Sequence, residues 1–183
     1  MFQNISLTDM NMLVSAAINE YHAVQKPEEL LELLTVMKNY DVNKVLEIGS
    51  WHGGTMWLWK VLTIEAVGID DGSGLEPWWH QVLKTKYNII DYSYHDERAY
   101  DLAKAYAPYD MLFIDGDHSY EGVKQDYEMY SNLVKPDGQI VFHDILNAAT
   151  NECNVKKLWE EIKSPASLEI RKAPLNWGGI GIL

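Results

Sequence analysis

Two short segments of this sequence carry closely spaced carboxylates and imidazoles. Asp115-Gly116-Asp117-His118 follows one apolar run, and His143-Asp144 follows the next. Carboxylates grouped in this way repel one another unless they are protonated, paired with a cation or bound to a metal ion. His118 stands three positions after Asp115, and an imidazole with an ordinary pKa near ~6.5 suits a general base at neutral pH. These residues predict acid–base or metal-assisted chemistry; the structural alternative is a set of helix-capping acids beside a solvated histidine.

A glycine-rich segment, Gly49-Ser50-Trp51-His52-Gly53-Gly54-Thr55, follows an earlier apolar run. Its first glycine permits a sharp exit from a strand, and its last two would let backbone amides at a helix start approach a ligand. Trp51 stands where a dinucleotide-binding G-x-G-x-x-G loop has its second glycine, so the indole would obstruct a pyrophosphate. Asp70, about 20 residues beyond the loop, suits a bidentate acceptor for two ribose hydroxyls. Together these features predict a site for adenosine without a pyrophosphate.

The segments that must position these residues alternate between short apolar runs and amphipathic stretches. Tyr120, Val123, Tyr127 and Tyr130 mark one face of a helix, and Ser119 is a suitable cap for it. The runs that predict strands are Val45–Ile48, Ala66–Ile69, Asn88–Ile90, Met111–Ile114, Gln139–Phe142, Leu168–Ile170 and Gly179–Leu183. Strands that alternate with helices indicate an α/β fold with a doubly wound, mostly parallel sheet. The last two runs are too close for a helical crossover and predict an antiparallel hairpin at the C-terminal edge.

The first five predicted strands all end in the segments that carry polar residues or glycines. In an open α/β sheet, ligands bind outside the carboxyl ends of the strands. The stretch between Asp115 and His143 holds one helix and returns the chain beside itself. Asp115, His143 and Asp144 can therefore converge on one rim, which is the predicted active site.

Length and charge limit the possible functions. The 183 residues carry 15 Lys and Arg against 27 Asp and Glu, a formal net charge of −12. This length predicts a single domain, residues 1–183, in which residues 1–24 form a helical segment that lids the rim or mediates self-association into a homo-oligomer. The acidic balance argues against a nucleic-acid partner, since phosphate neutralisation needs a basic patch.

The chain shows no sign of export or membrane insertion. Cys153 is the only cysteine, so no intrachain disulfide can form, and the N-terminal stretch lacks the basic residues of a signal peptide. No apolar run approaches the roughly 18–20 residues of a membrane span. We expect a cytoplasmic protein without a membrane partner.

Four stretches resemble the class I S-adenosylmethionine-dependent methyltransferases. They are Glu47–Thr55, Gly68–Asp70, Phe113–Tyr120 and Leu133–Asp144. The similarity is to the branch that contains macrocin-type O-methyltransferases and cephalosporin-hydroxylase-like proteins, and it runs from about Gln25 to Leu183. It implies a Rossmann-like sheet of seven strands.

The resemblance also implies the residues that bind S-adenosylmethionine. Glu47 and Gly49 would hold the methionine end, Gly53 and Gly54 would give the backbone room, and Asp70 would bind the ribose. Asp96, or another residue of 93–96, would contact the adenine. The implied cofactor-binding set is Glu47, Gly49, Ser50, Gly53, Gly54, Asp70 and Asp96.

A divalent metal is implied by the metal-dependent relatives. Asp115, His143 and Asp144 are similar in position to their metal ligands, and His118 matches the base that would deprotonate a hydroxyl beside Asp115. An imidazole is a poor ligand for Mg²⁺. Either the ion is softer (Mn²⁺, Fe²⁺ or Zn²⁺), or His143 serves as a base, or no metal binds; Asp117 is an alternative ligand.

The implied activity is O-methylation of a small hydroxyl-bearing molecule. Two other classes stay open: a non-catalytic or differently catalytic nucleoside-cofactor domain, and an NAD-dependent oxidoreductase, which Trp51 disfavours. Trp78 and Trp79 either cover the adenosine, stack on a ring of the acceptor or pack within the fold.

Overall fold

A computed structural model of the protein describes residues 4–62, 65–146 and 153–183. The helices are α1 Leu7–Asn19, α2 Pro27–Asn39, α3 Gly54–Leu62, α4 Pro77–Lys86, α5 Glu97–Lys104, α6 Tyr120–Tyr130 and α7 Val155–Ile162. The strands are β1 Lys44–Ile48, β2 Glu65–Ile69, β3 Ile89–Ile90, β4 Tyr109–Ile114, β5 Val134–His143, β6 Leu168–Ile170 and β7 Ile180–Ile182. Within these residues, no helix combines the length and the apolar character that crossing a lipid bilayer requires.

All seven strands form one sheet in the order β3-β2-β1-β4-β5-β7-β6. The first five in that order are parallel, and β7 pairs antiparallel with both β5 and β6. The predicted doubly wound sheet with an antiparallel edge hairpin is confirmed. Parallel β1, β4 and β5 lie side by side, so the residues that follow them meet at one edge.

Element ends differ from the predicted ones in two places. The strand predicted from Gln139 begins earlier, at Val134, because Tyr109 already pairs with Val134 before a register shift in the β4–β5 ladder. The first helix ends at Asn19, within the helical segment predicted over residues 1–24. His22 has a positive φ of 64°, which no residue of a right-handed helix adopts.

The sheet is buried on both faces. On one face Trp59 of α3 packs against Phe113, and on the other Trp159 of α7 packs against Phe142. All four of these side chains are fully buried, as expected for a sheet covered by helices on both sides. Trp59 and Trp159 thus belong to the core, whereas Trp57 is half-buried and stacks on Tyr21 with ring centroids 4.2 Å apart.

Candidate active site

A cavity of about 380 Å³ lies at the carboxyl ends of β1, β4 and β5. The residues that follow these strands line it, and the α1–α2 linker and the β6–β7 loop contribute further walls. Its lining includes His22, Ala23, Val24, Gln25, Gly49, Ser50, Trp51, Gly54, Tyr94, Asp115, His118, His143, Asp144 and Trp177. The fold thus brings the predicted strand-end residues together in one concave site.

Asp115 is the centre of a cluster of two carboxylates and two imidazoles. Its Oδ1 lies 3.2 Å from His118 Nε2 and 3.0 Å from His143 Nδ1. Asp144 flanks both rings, with Oδ2 at 3.7 Å from His118 Nδ1 and Oδ1 at 3.8 Å from His143 Nδ1. We call Asp115, His118, His143 and Asp144 the strand-end cluster. Gln25 donates from Nε2 to the other oxygen of Asp115 at 2.7 Å.

The charges of the strand-end cluster shift the pKa values of its members. Burial alone would raise the pKa of Asp115, but the charge of His143 and hydrogen bonds from both imidazoles hold it well below its ordinary value. Burial opposes a charge on His143, yet the neighbouring Asp115 raises the pKa of His143 to about 9. The hydrogen bond to Asp115 likewise raises the pKa of His118. Asp115 is therefore ionised, and its charge increases the proton affinity of both rings.

The backbone at Asp144 is strained. Asp144 has a φ of 62°, an uncommon conformation for a residue other than glycine. The amide of Gly178, in the β6–β7 loop, donates to Asp144 Oδ1 at 3.0 Å. A strained backbone of this kind persists only where surrounding contacts stabilise it. At Asp144 this conformation directs the side-chain carboxylate toward the other members of the cluster.

The residues of the cluster fit a divalent cation of intermediate softness. Ligand atoms of Asp115, His143 and Asp144 all lie within 4.8 Å of one another. Among the described residues, buried His143 Nε2 has no hydrogen-bond partner. Two carboxylates and one imidazole suit Mn²⁺, Fe²⁺ or Zn²⁺ better than Mg²⁺. Asp117, the alternative ligand, instead accepts from the Ser119 amide at 2.9 Å at the start of α6.

Asp70 holds the glycine loop in place. Its Oδ2 accepts from the amides of Ser50 and Trp51 at 2.9 and 2.7 Å, and its Oδ1 accepts from Gly72 at 2.7 Å. The side chain is buried, and burial raises its pKa against the effect of these bonds. Ribose binding by Asp70 stays a prediction, and ribose hydroxyls would share the carboxylate with these three amides.

The loop glycines allow chain segments to approach closely. Gly49 has a φ of +85°, and a Cβ there would lie 2.3 Å from the carbonyl oxygen of Asp115. A Cβ on Gly54 would lie 2.2 Å from the nitrogen of Ala23. Because these two glycines have no side chain, the backbone after β1 contacts the backbone after β4, and the α1–α2 linker packs against the start of α3. Gly53 does not line the cavity; its missing side chain makes room for Leu83 and Tyr87.

The segment 93–96 reaches the cavity through Tyr94. Asp96 caps α5 by accepting from the Arg98 amide at 2.8 Å, and its carboxylate pairs with the Arg98 side chain at 2.6 Å. Asp96 is not among the lining residues, whereas Tyr94 is. Within the segment that the sequence suggested for the adenine, Tyr94 is therefore the residue placed to contact a ligand.

Glu47 is fully buried beneath the glycine loop and does not line the cavity. Trp59 donates from Nε1 to Glu47 Oε2. Burial raises the pKa of Glu47 from 4.5 to about 8, although the Trp59 hydrogen bond opposes the change. The side chain is therefore neutral in the folded protein near pH 7.

We expect this carboxyl to make stability depend on pH. Between pH 4.5 and about 8 the folded state keeps a proton that the unfolded chain has lost, so the free energy of unfolding falls as pH rises. At about 1.4 kcal/mol per pKa unit, the full effect is at most about 5 kcal/mol. Glu47→Gln, which keeps a neutral side chain at every pH, should remove this decline in urea unfolding curves measured across the range.

The exposed Glu121 provides a matched control. Glu121→Gln should leave the decline in place. Parallel profiles for Glu47→Gln and the unmodified protein would show that Glu47 is ionised in the folded state.

A buried ion pair that no pattern in the sequence indicates holds the β6–β7 loop against α2. Lys26 and Glu29 are 3% and 0% exposed, with Nζ 3.3 Å from Oε1. Lys26 Nζ also donates to three carbonyls of the loop, those of Lys172, Pro174 and Trp177, at 2.8, 2.6 and 2.7 Å. Glu29 accepts from the amides of Lys172 and Gly179 at 3.0 and 2.8 Å. The pair thus holds the loop that places Trp177 in the cavity wall and Gly178 on Asp144.

The sheet order, the glycine loop after β1 and the acids at the ends of β4 and β5 define a class I methyltransferase fold. A family model described as a methyltransferase domain matches residues 46–145. The chain belongs to this methyltransferase-domain family.

Individual relatives are distant. An uncharacterized protein of Acanthamoeba polyphaga mimivirus is 29% identical over 130 residues, which is 63% of this chain and 57% of that protein. The structure of a candidate caffeoyl-CoA O-methyltransferase from Staphylococcus aureus superimposes with a TM-score of 0.63 at 20% identity, covering 98% of this chain and 93% of that one. MycE methyltransferase from the mycinamycin biosynthetic pathway, solved with Mg, S-adenosylhomocysteine and mycinamycin VI, gives 0.61 at 21% identity, covering 84% and 47%.

Proposed function

We propose that this protein transfers a methyl group from S-adenosylmethionine to a hydroxyl oxygen of a small molecule. The observation that carries the proposal is the strand-end cluster, which shares one cavity with the glycine loop of a methyltransferase domain. The MycE complex with Mg, S-adenosylhomocysteine and a macrolide supports a hydroxyl-bearing small molecule as acceptor.

The reaction needs a donor and an acceptor that are held in line. S-adenosylmethionine supplies an electrophilic methyl group on a sulfonium. The acceptor oxygen forms a bond to the methyl carbon as the carbon–sulfur bond breaks, and the hydroxyl proton must leave. His118, with a side chain that is 38% exposed and lies at the cavity, is placed to take that proton. Asp115 and Asp144 on either side of the ring stabilise the resulting imidazolium.

A divalent cation would be held by Asp115, His143 and Asp144. Such an ion would lower the pKa of the acceptor hydroxyl. Gln25 fixes the orientation of Asp115 through its hydrogen bond, and Tyr94 and Trp177 form part of the cavity wall beside the cluster.

The N-terminal segment contributes to the wall of the proposed active site. Residues 22–24 line the cavity beside the glycine loop, which supports residues 1–24 as a lid over the rim of a single domain 1–183. Self-association through the same segment and a cytoplasmic location stay predictions.

Calorimetric titration tests the cofactor and separates the alternatives. We expect S-adenosylhomocysteine to bind and NAD not to bind, because the Trp51 indole occupies the place that a pyrophosphate needs. Methylation of a panel of hydroxyl compounds, with and without Mn²⁺ or Zn²⁺, should then yield at least one substrate. Binding of NAD alone would reject the proposal. Binding of S-adenosylhomocysteine without methylation of any panel member would favour the non-catalytic domain.

A further inference from the structure

A second cavity, of about 650 Å³, lies beside the first. Six of its lining side chains are apolar and large, and together they define what we call the indole pocket. They are Ile18, Val24, Trp51, Leu75, Trp78 and Trp79. The volume is in the range that accommodates a drug-sized ring system.

The indole pocket adjoins the strand-end cavity. His22, Ala23, Val24, Trp51 and His52 line both cavities. These residues belong to the α1–α2 linker and the glycine loop. A molecule with its hydroxyl at the strand-end cluster can therefore extend past this shared wall into the indole pocket.

The indole pocket leaves large apolar side chains open to solvent. Trp78 is 66% exposed, Val24 is 52% exposed and Trp51 is 45% exposed. A group of this kind in a concave surface is more typical of a ligand site than of an ordinary protein surface. Trp79 adds a hydrogen-bond donor, because its buried Nε1 has no hydrogen-bond partner among the described residues.

The charges around the indole pocket disfavour an anion. No lysine or arginine is among the described residues that line it, and Glu76 contributes a carboxylate. Burial and the neighbouring His22 lower the pKa of His52, so its ring is neutral near pH 7. A phosphate, sulfate or carboxylate on the ligand would find no positive partner here.

We propose that the indole pocket binds an uncharged, ring-bearing part of the methyl acceptor. The proposal rests on the proposed function and narrows its substrate class to apolar, ring-containing hydroxyl compounds without an acidic group. The exposed indoles of Trp78 and Trp51 stack on the ring, and Trp79 Nε1 donates to an oxygen on it. The indole pocket has, among the described residues, no cationic side chain to pair with a phosphate, so phosphorylated and coenzyme A-linked acceptors are excluded.

Binding of 2-naphthol and of naphthalene-2-sulfonate, measured by calorimetry with and without S-adenosylhomocysteine, tests this proposal. We expect the neutral naphthol to bind more tightly than the sulfonate. Trp78→Ala should weaken naphthol binding about tenfold, the effect of losing one aromatic contact, and should leave S-adenosylhomocysteine affinity within about twofold. Tyr40→Ala, which removes an aromatic side chain that is 52% exposed near the amino ends of the strands, should change neither affinity.

The proposal would be overturned by no binding of naphthol, by equal or tighter binding of the sulfonate, or by naphthol affinity that is unchanged in Trp78→Ala. An equal loss of S-adenosylhomocysteine affinity in that variant would assign the indoles to the donor instead, and would also overturn it. Failure of S-adenosylhomocysteine to bind the unmodified protein would reject the proposed function, while the naphthol measurements without it would still report on the pocket.

Discussion

Replacing Asp115 with Asn should reduce kcat for methyl transfer by about 10³-fold or more. Asp115 Oδ1 lies within 3.2 Å of a ring nitrogen of each imidazole in the strand-end cluster. Asn has nearly the same shape but no charge, so a protonated His118 would lose its closest counter-charge and a bound cation would lose one anionic ligand. The measurement is the rate of S-adenosylhomocysteine formation at saturating concentrations of an acceptor identified by the panel.

Asp115→Asn should lower the rate of methyl transfer without weakening cofactor binding. S-adenosylhomocysteine affinity of Asp115→Asn should stay within about threefold of the unmodified protein. Asp117→Asn is the matched control, because Asp117 lies two positions away and accepts only the capping bond from the Ser119 amide in the described contacts; its kcat should stay within about threefold. His118→Gln should cost about 10²-fold, the smaller effect of losing a base alone. An Asp115→Asn variant within tenfold of normal kcat would exclude the cluster from the reaction.

The parts of the fold that could be predicted are those set by local sequence pattern. Continuous apolar runs in β1, β4 and β5 fixed three central strands, and the order of runs and helices implied that their ends would meet. Asp115, His143 and Asp144 were found in this way, since each directly follows or ends such a run. Ser119 could be identified as a cap from its residue type and place, and it accepts from the Gly122 amide at 3.0 Å.

The rest depends on contacts between distant parts of the chain. Gln25 reaches Asp115 across 90 positions, and nothing in the residues around Gln25 distinguishes it from a surface glutamine. Glu29 stands in the first turn of α2, where the helix dipole favours an exposed acid, yet it is fully buried and accepts from the Lys172 and Gly179 amides. Gly49 was expected to permit a sharp exit from β1, and Gly54 to let the backbone approach a ligand. The structure adds a second use, because a Cβ on either glycine would meet the backbone of Asp115 or Ala23. A pattern of residue types cannot distinguish these uses.

Replacing Lys26 with Met should destabilise the folded protein by about 3–5 kcal/mol, a large share of the roughly 5–15 kcal/mol that holds a typical domain together. Met fills a similar volume but leaves the Glu29 carboxylate buried without a cation. It also removes the donor for three loop carbonyls. Urea unfolding at equilibrium measures the change, and Lys124→Met, which breaks an exposed pair with Glu128, should cost no more than about 0.5 kcal/mol.

A second substitution separates the unpaired charge from the lost loop contacts. In Lys26→Met/Glu29→Gln the buried charge is gone, and the single side-chain oxygen of Gln can still accept from one of the Lys172 and Gly179 amides, so part of the stability should return. The part of the unfolding free energy that does not return measures the contribution of the three carbonyl contacts that hold the β6–β7 loop against α2. Because that loop carries Trp177 and the Gly178 amide that binds Asp144, the double variant should also have a lower kcat at a temperature where it is fully folded. A Lys26→Met variant within about 1 kcal/mol of normal stability would mean that solvent reaches this ion pair, and the pair would then not be what positions the loop at the active site.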